Sequence, residues 1–362
     1  MKFRILVLLA LMSMILVIFT GCAQPNNPVT PEAETVYLEL QAVYSSEGYV
    51  RDIAITDDYV YVAEDEAGFS IWDTNSNELL SRMRSYDVVS GIDTTTIEFT
   101  NIQLIVVDEA SNGMLAYNRH GSDTGIYIFR IADKRNPVYK FKHGGNSADI
   151  SVLKATSIDS TQFQFYWLNQ DDEYYTGKIV STPGGEYWMV SGEGTGYFDY
   201  NVADFDENYD TGTIYCASYQ LGLKIAEKQV IGNSIDFPLM GTVSTIGQTL
   251  AVKVVDNIAY LGNREEGIQV LDISDFNNPV ELFNYDTTGL ASDIEVNTDL
   301  NVFALASSSG GVYLFSGPEG EIKRLQRIDD SEIGYVNMIE MRGDLLYVGT
   351  RYGVYKYKIV NL

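Results

Sequence analysis

The sequence predicts an all-β fold, and three features of its 362 residues indicate this class. Apolar and polar residues alternate in short runs separated by turns rich in Gly, Asn and Asp, most clearly over residues 258–286. Stretches with helical periodicity are absent from Val36 onward. The alternating unit recurs about every 40 to 55 residues, which is the spacing of propeller blades. We therefore predict a seven-bladed β-propeller of four-stranded antiparallel blades over residues 36–362.

Residues 258–286 contain the clearest copy of the repeated unit. Two alternating runs, 258–262 and 268–273, are joined by a polar turn that ends in Gly267, and a third run follows at 280–285. One such unit cannot bury its apolar faces, so similar neighbours are expected to stack on it. We place the starts of the seven units near Gly48, Gly91, Asn146, Gly196, Gly247, Gly289 and Gly334.

The two ends of the predicted propeller complement each other. The seventh unit ends at Leu362 after its third strand, which would leave an unpaired edge in the ring. Val36–Ser45 has the composition of a strand but belongs to no unit. We predict that it is the outermost strand of the last blade and closes the ring. The alternative is an extra strand on the first blade.

The N-terminus predicts export. Lys2 and Arg4 precede an apolar run that ends at Phe19, and Thr-Gly-Cys follows, a pattern typical of a secretory signal. It resembles a bacterial lipoprotein signal, which implies that residues 1–21 are removed and that Cys22 is lipidated. Phe19 stands where such signals usually have Leu, so plain secretion and an uncleaved anchor remain alternatives.

Residues 22–35 predict a flexible tether between the lipid and the propeller, because they contain three prolines and no large apolar residue. A transmembrane helix is a weaker alternative, since the apolar run over residues 5–19 is shorter than the ~20 residues that a bilayer requires. The predicted location is the bacterial cell envelope, lipid-anchored and extracytoplasmic.

Charge and cysteine content exclude several classes of partner and fold. Loss of residues 1–21 would remove two basic residues and no acidic one, leaving 22 basic and 50 acidic residues and a net charge of −28. So acidic a surface repels nucleic acid and anionic lipid, so we expect no nucleic-acid partner and membrane contact only through the anchor. Cys216 is the only cysteine besides Cys22, which excludes a disulfide framework. We expect a monomer.

Three segments resemble the LVIVD-repeat family of bacterial exported β-propellers. The closest is 267–287, GIQVLDISDFNNPVELFNYDT, which has a glycine, apolar pairs around an Asp, and an Asn-Pro-Val turn; 68–87 and 125–141 are less similar. With weaker copies, the resemblance covers about five of the seven units. It implies a propeller at the cell surface or in the periplasm, of mostly uncharacterised function, and no shared chemistry to assign to particular residues.

Recurrent aspartates stand near the starts of the predicted inner strands and are therefore expected at the mouth of the central channel. They are Asp52, Asp93, Asp149, Asp199 and Asp293. Carboxylates around one axis repel one another unless a cation or hydrogen bonds balance them. The interpretation we favour is that each accepts backbone N–H bonds from the loop entering its own blade.

Four oxygen-bearing side chains alternate over residues 204–210, as in a loop that wraps calcium. They are Asp204, Asp206, Asn208 and Asp210. Tyr209 stands where an EF-hand-type loop requires Gly, and Tyr215 stands where its bidentate Glu would be. The alternative is an acid-rich hairpin tip, and calcium is the only cofactor that the sequence suggests.

No catalytic residue is assigned. The chain has two histidines, His120 and His143, and neither has the spacing of a catalytic triad or metal site. We predict a protein- or glycan-interaction module. The alternative is an extracellular carbohydrate-active hydrolase or lyase with its site at the channel, because so acidic a chain offers many possible carboxylate pairs.

The predicted binding residues lie in loops between second and third strands, which vary widely in length. Loops on a rigid scaffold commonly carry binding sites, and Tyr and Arg are favoured anchors there. The alternative is that these loops are simply solvated. The candidates are Arg119, His120, Tyr174, Tyr219, Arg264, Arg351 and Tyr352.

Overall fold

The computed structural model describes residues 36–144, 150–182 and 184–361. In these ranges the chain is almost entirely β, with six four-stranded antiparallel sheets, one six-stranded sheet and one two-stranded hairpin. The helical parts are single turns at Gly121–Asp123, Ser308–Gly310 and Asp330–Ile333. This architecture is consistent with a β-propeller.

Four sheets consist of consecutive strands. Sheet 1 contains β2 (Asp52–Ile55), β3 (Tyr59–Ala63), β4 (Phe69–Asp73) and β5 (Leu79–Met83). Sheet 2 contains β8 (Ile102–Asp108), β9 (Gly113–Asn118), β10 (Gly125–Arg130) and β11 (Val138–His143). Sheet 5 contains β22 (Ala251–Val255), β23 (Ile258–Gly262), β24 (Ile268–Asp272) and β25 (Val280–Tyr285). Sheet 6 contains β26 (Asp293–Asn297), β27 (Val302–Ala306), β28 (Val312–Ser316) and β29 (Arg324–Ile328).

The other sheets depart from this simple order. Sheet 3 contains β12 (Ile150–Asp159), β13 (Gln162–Asn169), β14 (Glu173–Ser181) and β15 (Tyr187–Tyr197), extended by β20 (Ser234–Asp236) and β19 (Gln229–Ile231). Sheet 4 contains β16 (Asp204–Asn208), β17 (Thr213–Ala217), β18 (Leu223–Glu227) and β21 (Leu239–Val243). Sheet 7 contains β30 (Val336–Arg342), β31 (Leu345–Thr350), β32 (Gly353–Asn361) and β1 (Val36–Ser45). The separate hairpin contains β6 (Ser85–Ser90) and β7 (Asp93–Glu98).

Two of the predicted unit starts are wrong. Gly91 lies at the tip of the β6–β7 hairpin, with φ at +67°, and sheet 2 begins only at β8. Gly196 lies near the end of β15, and sheet 4 begins at Asp204. In the first place the extra β6–β7 hairpin precedes the true first strand, and in the second the fourth strand of sheet 3 does. Alternation alone cannot distinguish such a strand from an inner one.

β1 pairs with the C-terminal strand and not with the first sheet. Its antiparallel register runs from Val36 opposite Asn361 to Ser45 opposite Gly353. Tyr44 of β1 is buried and donates from its hydroxyl to the Asn77 side chain of sheet 1 at 3.0 Å. β1 therefore connects the last sheet to the first.

The core consists of apolar layers between successive sheets. The layer between sheets 7 and 1 contains Tyr44, Val50, Trp72 and Tyr347, with the Tyr44 and Trp72 rings 5.3 Å apart. Corresponding layers lie between each pair of sheets that follow one another in the chain. Middle strands such as β3, β9 and β27 thus bury side chains on both faces, whereas outer strands such as β5 and β25 are partly exposed.

No helix in the described part of the chain is long and apolar enough to cross a membrane.

Candidate functional site: the central channel and its loop face

The first strands of all seven sheets line one cavity of about 640 Å³, the central channel. β2, β16 and β26 start with an aspartate in the same register, each opposite the last alanine of the second strand. These pairs are Asp52 with Ala63, Asp204 with Ala217, and Asp293 with Ala306. Three of the seven first strands therefore present a carboxylate at the same level of the channel.

Asp52 and Asp293 each bond to two neighbouring sheets. One carboxylate oxygen of Asp293 accepts from the backbone N–H of Ile294 and the other from that of Ile339 in the next sheet, both at 2.9 Å. Asp52 accepts in the same way from Ile53 and from Ile105, at 2.9 and 2.8 Å. We expected acceptance from a blade's own entry loop; instead the donors are the following residue and the first strand of the next sheet.

The other predicted channel aspartates have different positions. Asp93 lies in β7 and is exposed, so the prediction of a channel position is wrong, because its strand belongs to the extra hairpin. Asp199 is exposed and precedes the first strand of sheet 4, where Asp204 holds the channel position instead. Asp149 and the lipidation candidate Cys22 lie outside the described residues.

The predicted calcium-binding segment is a strand and a tight turn. Asp204, Asp206 and Asn208 alternate because they belong to β16. Asp206 accepts from the backbone N–H groups of Glu207 and Val254, and Asn208 accepts from those of Asp210 and Thr211. Within the described ranges no group of three or more His, Cys, Asp or Glu side chains is arranged to hold a metal ion.

A second layer of charged side chains lies two residues further along the first strands. The Lys253 ammonium is 3.1 Å from Glu295, and the Lys154 ammonium is 3.7 Å from Asp204 and donates to the carbonyl of Phe205. Glu340 of β30 occupies the same register, opposite Tyr347. The channel thus contains more carboxylates than ammonium groups.

This crowding perturbs the acidity of the channel groups. Burial, reinforced by the charge of Glu295, raises the pKa of Asp293 to about 8. Burial raises the pKa of Asp52 to about 7 despite its two backbone hydrogen bonds. Burial and then Glu295 raise the pKa of Glu340 well above its usual value, and burial also raises that of Glu295 despite Lys253. The pKa values of these four channel carboxyls therefore all lie above their usual range.

The loops between second and third strands lie at the same end of the channel as the aspartates. The Tyr219 backbone pairs with Thr249, and Arg264 with Ala291, each at the entry to the next first strand. The Arg264 guanidinium donates to Gln248 at 2.7 Å and lies 3.2 Å from Glu265. These contacts fix both loops at the rim of the channel.

The remaining predicted binding residues belong to the loops of sheets 2 and 7, with one exception. Arg119 and His120 are exposed, and so are Arg351 and Tyr352. The prediction that Tyr174 lies in a loop is wrong, since Tyr174 belongs to β14 and is fully buried. The Asn169 side chain accepts from two backbone N–H groups of a tight turn that ends at Glu173, so the strand begins earlier than the sequence suggested.

One cluster at this rim was missed by sequence reasoning. The Tyr49 ring contacts two guanidinium groups, that of Arg51 at 5.5 Å and that of Arg351 at 4.9 Å. Arg51 also donates to Asp65. These residues come from both ends of the chain, so no local pattern could have connected them. The sequence did contain a signal for the channel residues Lys253, Glu295 and Glu340. Each lies two positions after the residue of its own first strand that corresponds to Asp52 or Asp293.

Comparison with known proteins agrees with this architecture. Residues 47–82 and 246–287 match the model of the LVIVD repeat. The chain contains LVIVD repeats. These repeats are associated with β-propellers. The two matches include the clearest unit and part of 68–87, whereas 125–141 lies outside them.

A solved structure shows the same fold class. The crystal structure of the computationally designed Ika8 protein superposes with a TM-score of 0.53 at 11% sequence identity, covering 90% of this chain and 100% of that one. No curated protein shows significant similarity to the sequence.

Proposed function

We propose that this chain is a closed seven-bladed propeller, exported as a lipoprotein, that serves as a protein- or glycan-interaction module of the bacterial cell envelope. Closure is supported by β1 as the outer strand of sheet 7 and by the apolar layer between sheets 7 and 1. Export and lipidation at Cys22 are supported by the N-terminal sequence alone.

The observation that carries the binding proposal is the loop face at the channel rim. Two short loops are held by backbone pairing to the next sheet and carry the half-buried Tyr219 and Arg264. The loops of sheets 2 and 7 carry exposed Arg, His and Tyr side chains. Tyr352 is 63% exposed, and the Tyr49 ring contacts the guanidinium groups of two arginines. Rigid aromatic and guanidinium groups lose little conformational freedom on binding, which makes them effective anchors.

The test is a variant in which Arg119, Tyr219, Arg264 and Tyr352 are all changed to Ala. Partners are first captured from native envelope with wild-type protein and identified, and the affinity of the purified partner is then measured. We expect the variant to lose more than about 2 kcal/mol of binding free energy while its melting temperature hardly changes.

The matched control changes Arg135 and Tyr209 to Ala. Both are exposed, but they lie in turns at the opposite ends of the strands. The control should bind as wild type does. Full affinity in the quadruple variant, or equal loss in the control, would contradict a binding site on the loop face.

One observation favours a second candidate, a carbohydrate-active hydrolase or lyase at the channel. Glu340 and Glu295 both line the cavity, and the pKa of Glu340 is raised as a general acid requires. Such an enzyme should release new reducing ends from at least one polysaccharide of a panel, and Glu340→Gln should abolish this release. A rate in Glu340→Gln equal to that of wild type would exclude Glu340 as the acid.

A further inference from the structure

A cleft at the outer edge of sheet 3 is distinct from the loop-face residues proposed above. It lies between the end of β15 and the β19–β20 hairpin and has a volume of about 510 Å³. This is within the range of roughly 300–1,000 Å³ that is usual for small-molecule sites. The hairpin is an insertion, because sheets 1, 2, 5 and 6 connect their third and fourth strands directly.

Two glycines create the cleft. β20 runs parallel to β15, with Ser234 opposite Thr195 and Ile235 opposite Gly196. A Cβ at Gly194 would lie 2.1 Å from the Asn233 carbonyl oxygen, and one at Gly196 would lie 2.3 Å from that of Ile235. Only glycine permits the hairpin to approach this closely.

The hairpin is anchored on an aromatic floor. Ile235 is buried, and the Phe237 ring stacks on Phe198 with centroids 4.2 Å apart and contacts Tyr174 at 5.1 Å. These rings belong to the apolar layer between sheets 3 and 4. The cleft therefore has a rigid base and does not depend on a free loop.

Tyr197 offers an oriented aromatic surface in the cleft. Its side chain is 62% exposed, and its hydroxyl donates to Glu173 at 3.3 Å. The hydrogen bond restricts the ring, so little conformational entropy is lost when a ligand stacks on it. A pyranose ring has an apolar face of C–H groups that fits such a surface.

The polar groups around Tyr197 both donate and accept. Asp199 and Asp236 supply carboxylate oxygens, Ser234 supplies a hydroxyl, and Gln229 supplies an amide that is held by Glu227 at 2.6 Å. Sugar hydroxyls also donate and accept, so they can pair with both kinds of group. A ligand with an ammonium group could pair only with the acceptors, because ammonium only donates. The described residues that line the cleft include no Lys or Arg, so phosphate, sulfate and uronate groups would be repelled.

We infer that this cleft binds a neutral glycan, with a sugar ring stacked on Tyr197 and its hydroxyls bonded to Asp199 and Asp236. The inference adds a second site to the proposed binding function and names the class of ligand. It does not depend on the loop-face residues, so either proposal can fail while the other stands.

The test uses the purified chain and isothermal titration with cellohexaose, chitohexaose and maltohexaose. Polygalacturonate serves as the anionic probe and hexalysine as the cationic one. We expect at least one neutral oligosaccharide to bind and both charged probes to fail. Tyr197→Ala should weaken that binding about tenfold or more, because it removes the stacking surface.

Two further variants make the test specific. Asp199→Asn combined with Asp236→Asn should weaken binding of the sugar. The melting temperature should stay unchanged, since both side chains are exposed. Trp188→Ala removes an exposed aromatic ring, 44%, from the other end of β15 and should leave the affinity unchanged. Absence of binding to all three sugars, binding of hexalysine instead, or equal loss in Trp188→Ala would overturn the inference.

Discussion

Aspartate side chains at the channel link successive sheets of this protein. Asp52, Asp204 and Asp293 each accept a backbone N–H bond from the first strand of the following sheet. These inner strands would otherwise leave those donors directed at the channel without a protein partner. Hydrogen bonds to an ionised acceptor are stronger than neutral ones, but the same burial that strengthens them also favours the protonated carboxyl.

The raised pKa values predict that alkaline pH destabilises the protein. Asp293 titrates near pH 8 when folded and near 3.8 when unfolded, so the folded state holds the extra proton between these values. The stabilisation that comes from holding this proton is fully present below about pH 4 and is lost as the pH rises through 8. We expect the unfolding free energy from urea denaturation to fall by about 1 kcal/mol or more between pH 6.5 and 9.

Asp293→Asn should make the fall in stability between pH 6.5 and 9 smaller, because Asn stays neutral and keeps one acceptor, while the other buried channel carboxyls still titrate. Asp272→Asn is the control, since Asp272 is an exposed carboxyl whose pKa is lowered by hydrogen bonds from Ser274 and which titrates only in acid. Stability that rises from pH 6.5 to 9, or an identical slope in Asp293→Asn, would disprove the assignment.

A variant at Asp206 distinguishes two roles of this side chain: stabilising the fold through a hydrogen bond and binding calcium. Its carboxylate accepts from Val254 N–H at 2.8 Å, so Asp206→Ala should cost about 1–3 kcal/mol of stability in the absence of any metal. Calorimetric titration with calcium then tests the sequence hypothesis separately. If calcium binds through residues 204–210, wild type releases or absorbs heat and the variant loses that site. No heat from wild type would end the calcium hypothesis.

At the scale of elements, β1 has an unusual role for a terminal strand. It covers the edge of β32 along its length, buries Leu38 and Tyr44, and contacts sheet 1 through Tyr44. An exposed β32 edge would offer unpaired N–H and C=O groups to other chains. β1 therefore protects an edge as well as joining the ends.

Chains starting at residue 36 and at residue 46 should differ strongly in stability. Loss of β1 removes two buried side chains and a complete ladder, which we expect to cost roughly 3 kcal/mol or more. Thermal melts of both chains measure the difference, with the full chain lacking only residues 1–21 as reference. The chain starting at 36 should melt with the reference. Equal melting temperatures for all three would show that β1 does not close the fold.

At the scale of the whole molecule, the proposed closed ring constrains size. Apolar layers between every successive pair of sheets, including the last and first, leave no sheet face at an open end. The net charge of −26 for the full chain also opposes association between copies. From both features we expect a compact monomer.

X-ray scattering on the chain starting at residue 36 tests this expectation. About 327 residues in one compact body should have a radius of gyration of about 20 Å. An open array of the same sheets, or a dimer, would scatter with a distinctly larger radius. Measurement at several protein concentrations separates the open form from the dimer, because only the dimer depends on concentration.

Local alternation and repeat spacing were enough to predict an all-β fold of repeated four-stranded sheets, because both patterns are contained within each unit. They also located Asp52 and Asp293, whose register follows from their own units. The sequence could not distinguish the inner strand β16 from the segment before it, nor recognise β6–β7 as an extra hairpin. Those assignments depend on which neighbour each strand packs against.

Only the tertiary structure determined the sites. Tyr174 and Tyr197 are both tyrosines in polar surroundings, yet one is buried between sheets 3 and 4 and the other is exposed beside a cleft. The difference arises because Gly194 and Gly196 admit a hairpin from more than thirty residues away. Likewise, Tyr49 meets Arg351 only because the two ends of the chain share a sheet. Burial and charge at these positions are set by long-range contacts, which no local pattern encodes.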